Sequence, residues 1–322
     1  MNKLKWGLIG CGDISQNRVA PALRDLENCN LVAVNRKNVA LAESFAKQFG
    51  AKKWYKEWQD LIADDEIEAV YIATPVNLHM EQTIAAAEAG KHVLCEKPMA
   101  LNTKQCKKMI HACKTNDVKL GVAYYRHFYP VINRIKEIIA HKKIGTVVFS
   151  QINAFNKFER KAGVPRYWLL LKEQAGGGPM MDVGCHRIEV FLNFFGPIKK
   201  TSGFTHNIIY DREVEDTATA LFEFESGSTA ILNVTHAAFE DQDTLDIFGT
   251  EGSIHVSVLN NGDLTIKTAE GTHKEILPPH PNFHQPLIES FTNSVLKNTP
   301  VTVDGTIGKK VTVIEDFIYN NE

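Results

Sequence analysis

Six residues near the start of the chain, Gly10-Cys11-Gly12-Asp13-Ile14-Ser15, constrain the fold more than any other stretch. They follow the apolar run KLKWGLI at 3–9, which reads as a strand, and they open a helical pattern that continues to about Arg24. A strand that turns on glycine into a helix begins a dinucleotide-binding βαβ unit. Gly10 makes the tight turn, Gly12 lets the backbone approach a pyrophosphate, and Ser15 must be small where helix meets strand; Gly10, Gly12, Asp13 and Ile14 are expected to contact the cofactor. The N–H groups at the start of the helix supply affinity for the anion. Such a string is weak by itself, and its place between a strand pattern and a helix pattern gives it weight.

A second strand, LVAVNR at 31–36, carries a test of the cofactor. An Asp or Glu about 20 residues beyond the glycines would hold the ribose 2′-hydroxyl of NAD. This chain has Asn35-Arg36-Lys37 instead. A carboxylate would repel a 2′-phosphate, whereas a neutral Asn beside two cations offers it charge-assisted hydrogen bonds, so NADP is expected ahead of NAD. If Arg36 and Lys37 are plain solvated loop charges, either cofactor is admitted.

At 322 residues the chain has the length of two domains. Short buried strands at 52–55, 68–74, 92–96 and 118–124 alternate with helical patterns over about 57–62, 77–89 and 102–116. That alternation implies a doubly wound parallel sheet, an α/β Rossmann domain over 1–125. Beyond a helix at about 129–141 the rhythm changes. Strand patterns at 146–155, 214–225, 228–237, 243–249 and 252–259 follow one another, with hairpin turns at ESGS (225–228) and NNGD (260–263). Helices at 185–195, 284–297 and 306–320 complete an α+β domain over 126–322 with a large, mainly antiparallel open sheet.

Composition removes other classes. With 44% hydrophobic and 23% charged residues and a net charge of −2, the chain is an ordinary globular protein with no field to draw nucleic acid or anionic lipid. No apolar run approaches the length of a membrane span, and the early apolar stretch is broken by glycines and Asp13, so a cytoplasmic protein is expected. The six cysteines are dispersed without a CxxC and are read as buried thiols. No histidine spacing suggests a metal site, and none is expected.

Glu96-Lys97-Pro98 ends the strand pattern HVLCE, at the carboxyl edge where a doubly wound sheet takes its ligands. Taken together, the glycine turn, the AT-P element at 73–79, the run AGKHVLCEKPMAL at 89–101 and GGGPMMDVGCHRIE at 176–189 resemble the glucose-fructose oxidoreductase, inositol 2-dehydrogenase and MocA-like family (Gfo/Idh/MocA), from residue 3 to about 320. The resemblance implies a nicotinamide-dependent oxidoreductase acting on sugars, polyols or related carbonyl compounds. It implies that Lys97 is catalytic, that Asp182 and His186 stand beside the substrate, and that Ala73, Thr74, Pro75, Asn77, His79 and Glu96 line the cofactor side. Many members carry an Asp three residues after the His; here it is Glu189. Arg126, after Tyr124 and Tyr125, and Tyr167 and Trp168, after Arg166, are expected to reach the substrate, with plain packing as the alternative.

These residue types suit the chemistry. Oxidising a secondary alcohol sends a hydride to nicotinamide C4 and a proton to a base. Lys97 places positive charge where negative charge develops, and an imidazole, with an ordinary pKa of about 6.5, carries a proton at neutral pH. Asp182 would orient that group. Dihydrodiol dehydrogenases and NAD-dependent glycosidases of the same family are the enzyme alternatives, and a non-catalytic NADP-binding sensor is the alternative of another class. The family's habit of associating through the open sheet face implies a homodimer or homotetramer.

Overall fold

The computed structural model describes residues 2–320. They form two compact units, one of residues up to Tyr125 together with Pro281–Thr312, the other of Arg126–His280 and the residues from Val313 on. The α-helices are α1 (Ala20–Asp25), α2 (Val39–Phe49), α3 (Trp58–Ile62), α4 (His79–Glu88), α5 (Thr103–Thr115), α6 (Pro130–Ala140), α7 (Lys172–Ala175), α8 (Cys185–Phe195), α9 (Gln285–Leu296) and α10 (Gly305–Asn320).

In the first unit, strands β1 (Leu4–Ile9), β2 (Cys29–Asn35), β3 (Lys53–Tyr55), β4 (Ala69–Ile72), β5 (His92–Cys95) and β6 (Leu120–Val122) pair in parallel in the order β3-β2-β1-β4-β5-β6. This is the doubly wound order anticipated from the alternating patterns. Leu4, Trp6, Leu8 and Ile9 are all buried, as expected of a strand covered on both faces. The helices begin and end on recognisable chemistry. The Asn38 side chain accepts from Leu41 N–H at the start of α2, which ends on Gly50 at φ +78°, and Asn102 caps α5 through Gln105 N–H.

Residues 281–312, which the change of strand rhythm assigned to the second half, pack in the first unit. Phe291 of α9 meets Trp6 at 5.7 Å between ring centroids. A Cβ on Gly121 would lie 2.7 Å from the Phe291 ring, so any larger residue at this strand position would have to displace that ring. Val122 N–H donates to Val303 O, which extends the edge of the sheet beyond β6.

The second unit holds strands β7 (Val147–Lys157), β8 (Ile198–His206), β9 (Thr217–Phe224), β10 (Thr229–Thr235), β11 (Ala237–Gly249), β12 (Gly252–Val256), β13 (Asp263–Thr268) and β14 (Gly271–Ile276). Their order is β14-β13-β12-β11-β7-β10-β9-β8, antiparallel except for the central pair β10 and β7. Phe191 of α8 packs edge-on against Phe222 and Phe224 on the covered face. The opposite face carries a polar ladder, Thr219 to Asn233 to Asn153, with Leu221 and Phe204 exposed beside it. All six cysteines are buried and none forms a disulfide. Among the described residues no helix is long and apolar enough to cross a membrane.

Candidate active site and cofactor turn

The glycine turn has the geometry its residues dictate. Gly10 sits at φ +92°, and a Cβ there would lie 2.6 Å from Ala73 O. A Cβ on Gly12 would meet no heavy atom within 4 Å, so the outer side of the turn has room for a ligand's approach. Ser15 is buried and its Oγ donates to Gly10 O at 2.5 Å, closing the turn on itself. The helix then runs as a π turn, Ser15–Val19, into α1. Gly10→Ala is expected to destabilise the protein by about 2 to 4 kcal/mol, the sum of a strained φ and a clash with fixed backbone. A denaturant midpoint unchanged from wild type would contradict that.

Asn35, at the end of β2, is buried, and its amide donates to Tyr55 O at 3.2 Å and Lys56 O at 2.9 Å. Arg36 reaches back over the glycine turn, Nη1 donating to Cys11 O at 3.0 Å, while Lys37 is exposed. Burial pushes the Cys11 thiol up to about 12, against the opposing pull of Arg36, so it stays protonated.

Two segments leave the carboxyl ends of β4 and β5. Thr74 donates its hydroxyl to Gln82 Oε1 at 2.7 Å. His79 is fully buried, with Nδ1 3.0 Å from Pro98 O and Nε2 2.9 Å from Thr74 O. It thus ties the two segments together. Burial pulls its pKa below the ordinary imidazole value, and its hydrogen bonds to carbonyls oppose that. Asn77 keeps a buried Oδ1 with no hydrogen-bond partner, an acceptor available to a ligand amide or hydroxyl. Glu96 is likewise turned inward. Its Oε1 accepts from Tyr71 O–H at 2.7 Å and faces His284 Nε2 at 3.1 Å, and its Oε2 faces Lys97 N–H at 3.2 Å. Burial raises the Glu96 pKa, but His284, Tyr71 and Lys97 outweigh it and hold the carboxyl below its usual range. Lys97 itself is half-buried, and the Lys97–Pro98 peptide is cis.

In the second unit Asp182 lies in a π turn, Met180–Gly184, that runs straight into α8, where His186 is 3% exposed. Their spacing of four puts them about one helical turn apart on one run. Asp182 Oδ2 is 3.7 Å from Arg166 Nη2 and 3.8 Å from His236 Nε2. Glu189, three residues beyond His186, is buried and holds His127 Nδ1 at 2.7 Å. Arg126 is buried too, its Nη2 3.4 Å from Asn260 Oδ1 and 3.9 Å from Asp243 Oδ2. Asp243 also pairs with Arg187. Tyr167 and Trp168 pack on a cluster of Phe158, Leu169, Leu170 and Val214, and Tyr167 borders a cleft of about 740 Å³.

A family model described as an oxidoreductase family with NAD-binding Rossmann fold matches residues 4–124, and the GFO/IDH/MocA C-terminal domain matches 132–255. The chain belongs to the Gfo/Idh/MocA family of oxidoreductases. It is therefore an NAD(P)-binding enzyme of the oxidoreductase class. Oxidoreductase P35 of Formosa agariphila is 33% identical over 311 residues, covering 94% of this chain and 95% of that protein. A trans-1,2-dihydrobenzene-1,2-diol dehydrogenase of Xenopus laevis is 29% identical, covering 81% and 80%. Levoglucosan dehydrogenase, solved in complex with NADH and levoglucosan, is 25% identical with a TM-score of 0.87, covering 99% and 97%.

Three supporting residues of this Gfo/Idh/MocA chain had no sequence signal of their own. His284 and His236 belong to no motif in the sequence, yet His284 faces Glu96 and His236 lies beside Asp182 and Arg212. Glu215 was hidden inside a strand pattern, yet it fixes the segment before Asp182. Its carboxylate accepts from Gly178 N–H at 2.7 Å, Met180 N–H at 3.1 Å and Tyr319 O–H at 2.7 Å. Burial raises its pKa against the pull of these bonds. The glycine run was the available clue, because a Cβ on Gly178 would lie 2.0 Å from Glu215 O.

Proposed function

We propose that this oxidoreductase moves a hydride between NADP and a hydroxyl-bearing carbon of a sugar, polyol or related compound, with Lys97, Asp182 and His186 as its working groups. The observation that carries the reading is the position of Lys97, two residues past the end of β5 at the carboxyl edge of a doubly wound sheet. The residues of the turn suit a nicotinamide dinucleotide. Gly12 leaves room for the backbone to approach a pyrophosphate, and Asn77 Oδ1 is a buried acceptor without a partner. When bound, the cofactor supplies the hydride acceptor at nicotinamide C4.

The protein's part is charge and proton handling. The Lys97 ammonium stabilises negative charge developing on the substrate oxygen, and Glu96, pinned by Tyr71, fixes the backbone that carries it. His186 takes the hydroxyl proton and Asp182 orients it. The names of two similar proteins, a levoglucosan dehydrogenase and a dihydrobenzenediol dehydrogenase, support a vicinal hydroxyl substrate and keep the diol reading as the second one. Nicotinamide absorbance followed on adding sugars, polyols and diols with NADP⁺ or NAD⁺ tests this. Cofactor binding without turnover on any of them would favour a sensor.

NADP is favoured because Asn35 presents no carboxylate and Arg36 lies across the turn. Arg36→Ala is expected to weaken NADPH by about 1.5 to 3 kcal/mol more than NADH, the worth of a charge-assisted hydrogen bond. Equal losses, measured by titrating both cofactors, would refute the preference. A homodimer or homotetramer formed through the open sheet face, with Leu221 and Ile231 in its centre, completes the proposal and is checked by light scattering.

A further inference from the structure

His236 lies at the junction between β10 and β11 and takes no part in the reaction as described above. Its side chain is 1% exposed. Its backbone is tied on both sides, N–H donating to Asp216 O and O accepting from Phe158 N–H, each at 2.8 Å. The Phe158 ring packs against the imidazole at 5.0 Å between centroids. Arg212 Nη2 lies 3.3 Å from Nδ1. A guanidinium only donates, so Nδ1 must accept, and in a neutral imidazole the proton then sits on Nε2. That Nε2 is buried without a hydrogen-bond partner and stands 3.8 Å from Asp182 Oδ2, the oxygen that Arg166 also approaches.

We propose that His236 is a positioning residue for Asp182: Arg212 locks its Nε2–H tautomer, and that fixed N–H dipole, with Arg166, holds one carboxylate oxygen and favours its charged form. The proposal rests on the reading of Asp182 as part of the acid–base machinery. At 3.8 Å the contact is longer than a hydrogen bond, yet a dipole at that range acts strongly on a charge where burial keeps the effective dielectric low. The charged groups around the ring are Asp182, Arg212, Arg166 and Asp216. Burial, aided by the two arginines and opposed by the two aspartates, draws the ring down to about 4, so it stays neutral and keeps one tautomer through the neutral range.

The test compares pH profiles of kcat/KM in the oxidation direction for wild type, His236→Phe, His236→Gln and Asp182→Asn, with NADPH affinity measured alongside. His236→Phe keeps a flat ring and removes the N–H. Its acid limb is expected to move up by about one pH unit, a loss of about tenfold on the acid side, with NADPH affinity within about twofold of wild type. His236→Gln restores an N–H donor and should recover at least about half of the shift. An unmoved limb in His236→Phe, with Asp182→Asn inactive, overturns this inference alone. An active Asp182→Asn overturns the acid–base reading of Asp182 and this inference with it. Where His236→Phe does not fold, or no substrate is in hand, nitrogen–proton correlation NMR of the wild-type imidazole decides. A proton held on Nε2 between about pH 6 and 8 supports the proposal, and a proton on Nδ1, or an imidazolium, overturns it.

Discussion

Lys97→Met is expected to lower kcat by about two to four orders of magnitude while changing cofactor affinity much less. Methionine keeps much of the side chain's length and its apolar stem, so the half-buried position stays filled and the deleted feature is the charge. A cation placed where an alkoxide develops is worth about 3 to 5 kcal/mol of barrier, and each 1.4 kcal/mol or so is about tenfold in rate. The backbone around it should persist, because Glu96 holds the Lys97 N–H and His79 holds the Pro98 carbonyl without using the ammonium group. Steady-state turnover and NADPH titration on the same variant separate the two effects. Retention of more than about a third of wild-type turnover would remove Lys97 from the mechanism.

His186→Asn should cost about two to four orders of magnitude in kcat/KM for oxidation, the usual size of general acid–base catalysis, while NADPH still binds. In the wild type this parameter should rise with pH, because the base must be unprotonated to accept the hydroxyl proton. Its apparent pKa is expected to belong to the coupled Lys97, Asp182 and His186 group and need not equal any one residue's value. The asparagine variant has no group there that titrates in the neutral range, so the acid limb should flatten. An unchanged limb at near-normal rate would assign the proton to another acceptor, and Lys97 would be the first to examine.

The first unit was legible almost strand for strand, since buried parallel strands are continuous apolar runs and the helices between them carry Asn caps and a glycine stop. In the second unit, β8, β13 and β14 escaped notice. β8 alternates between half-buried and exposed positions, but its inward positions from Thr201 on are Thr201, Gly203 and Thr205, so the alternation leaves no apolar trace in the sequence, and β14 is nearly all exposed. The parallel pairing of β10 with β7 was equally hidden, because register across 70 or more residues leaves no local trace. At the site, motif order located Lys97, Asp182 and His186 as candidates. It did not show that His79 and Glu96 point inward, because a motif records which residue recurs and not which way it faces. Nor did it show the long-range partners of the motif residues: Glu215 for the segment before Asp182, and His284 for Glu96.

Residues 281–312 complete the unit that holds β1, and this sets an order of events during synthesis. The sheet that begins with β1 lacks the Phe291 ring against Trp6, the Val303 carbonyl beside β6 and the His284 imidazole on Glu96 until residues 281–312 have been made. That sheet is therefore among the last parts to be completed, and the nascent Rossmann half must wait with an uncovered flank while the second sheet is still being translated.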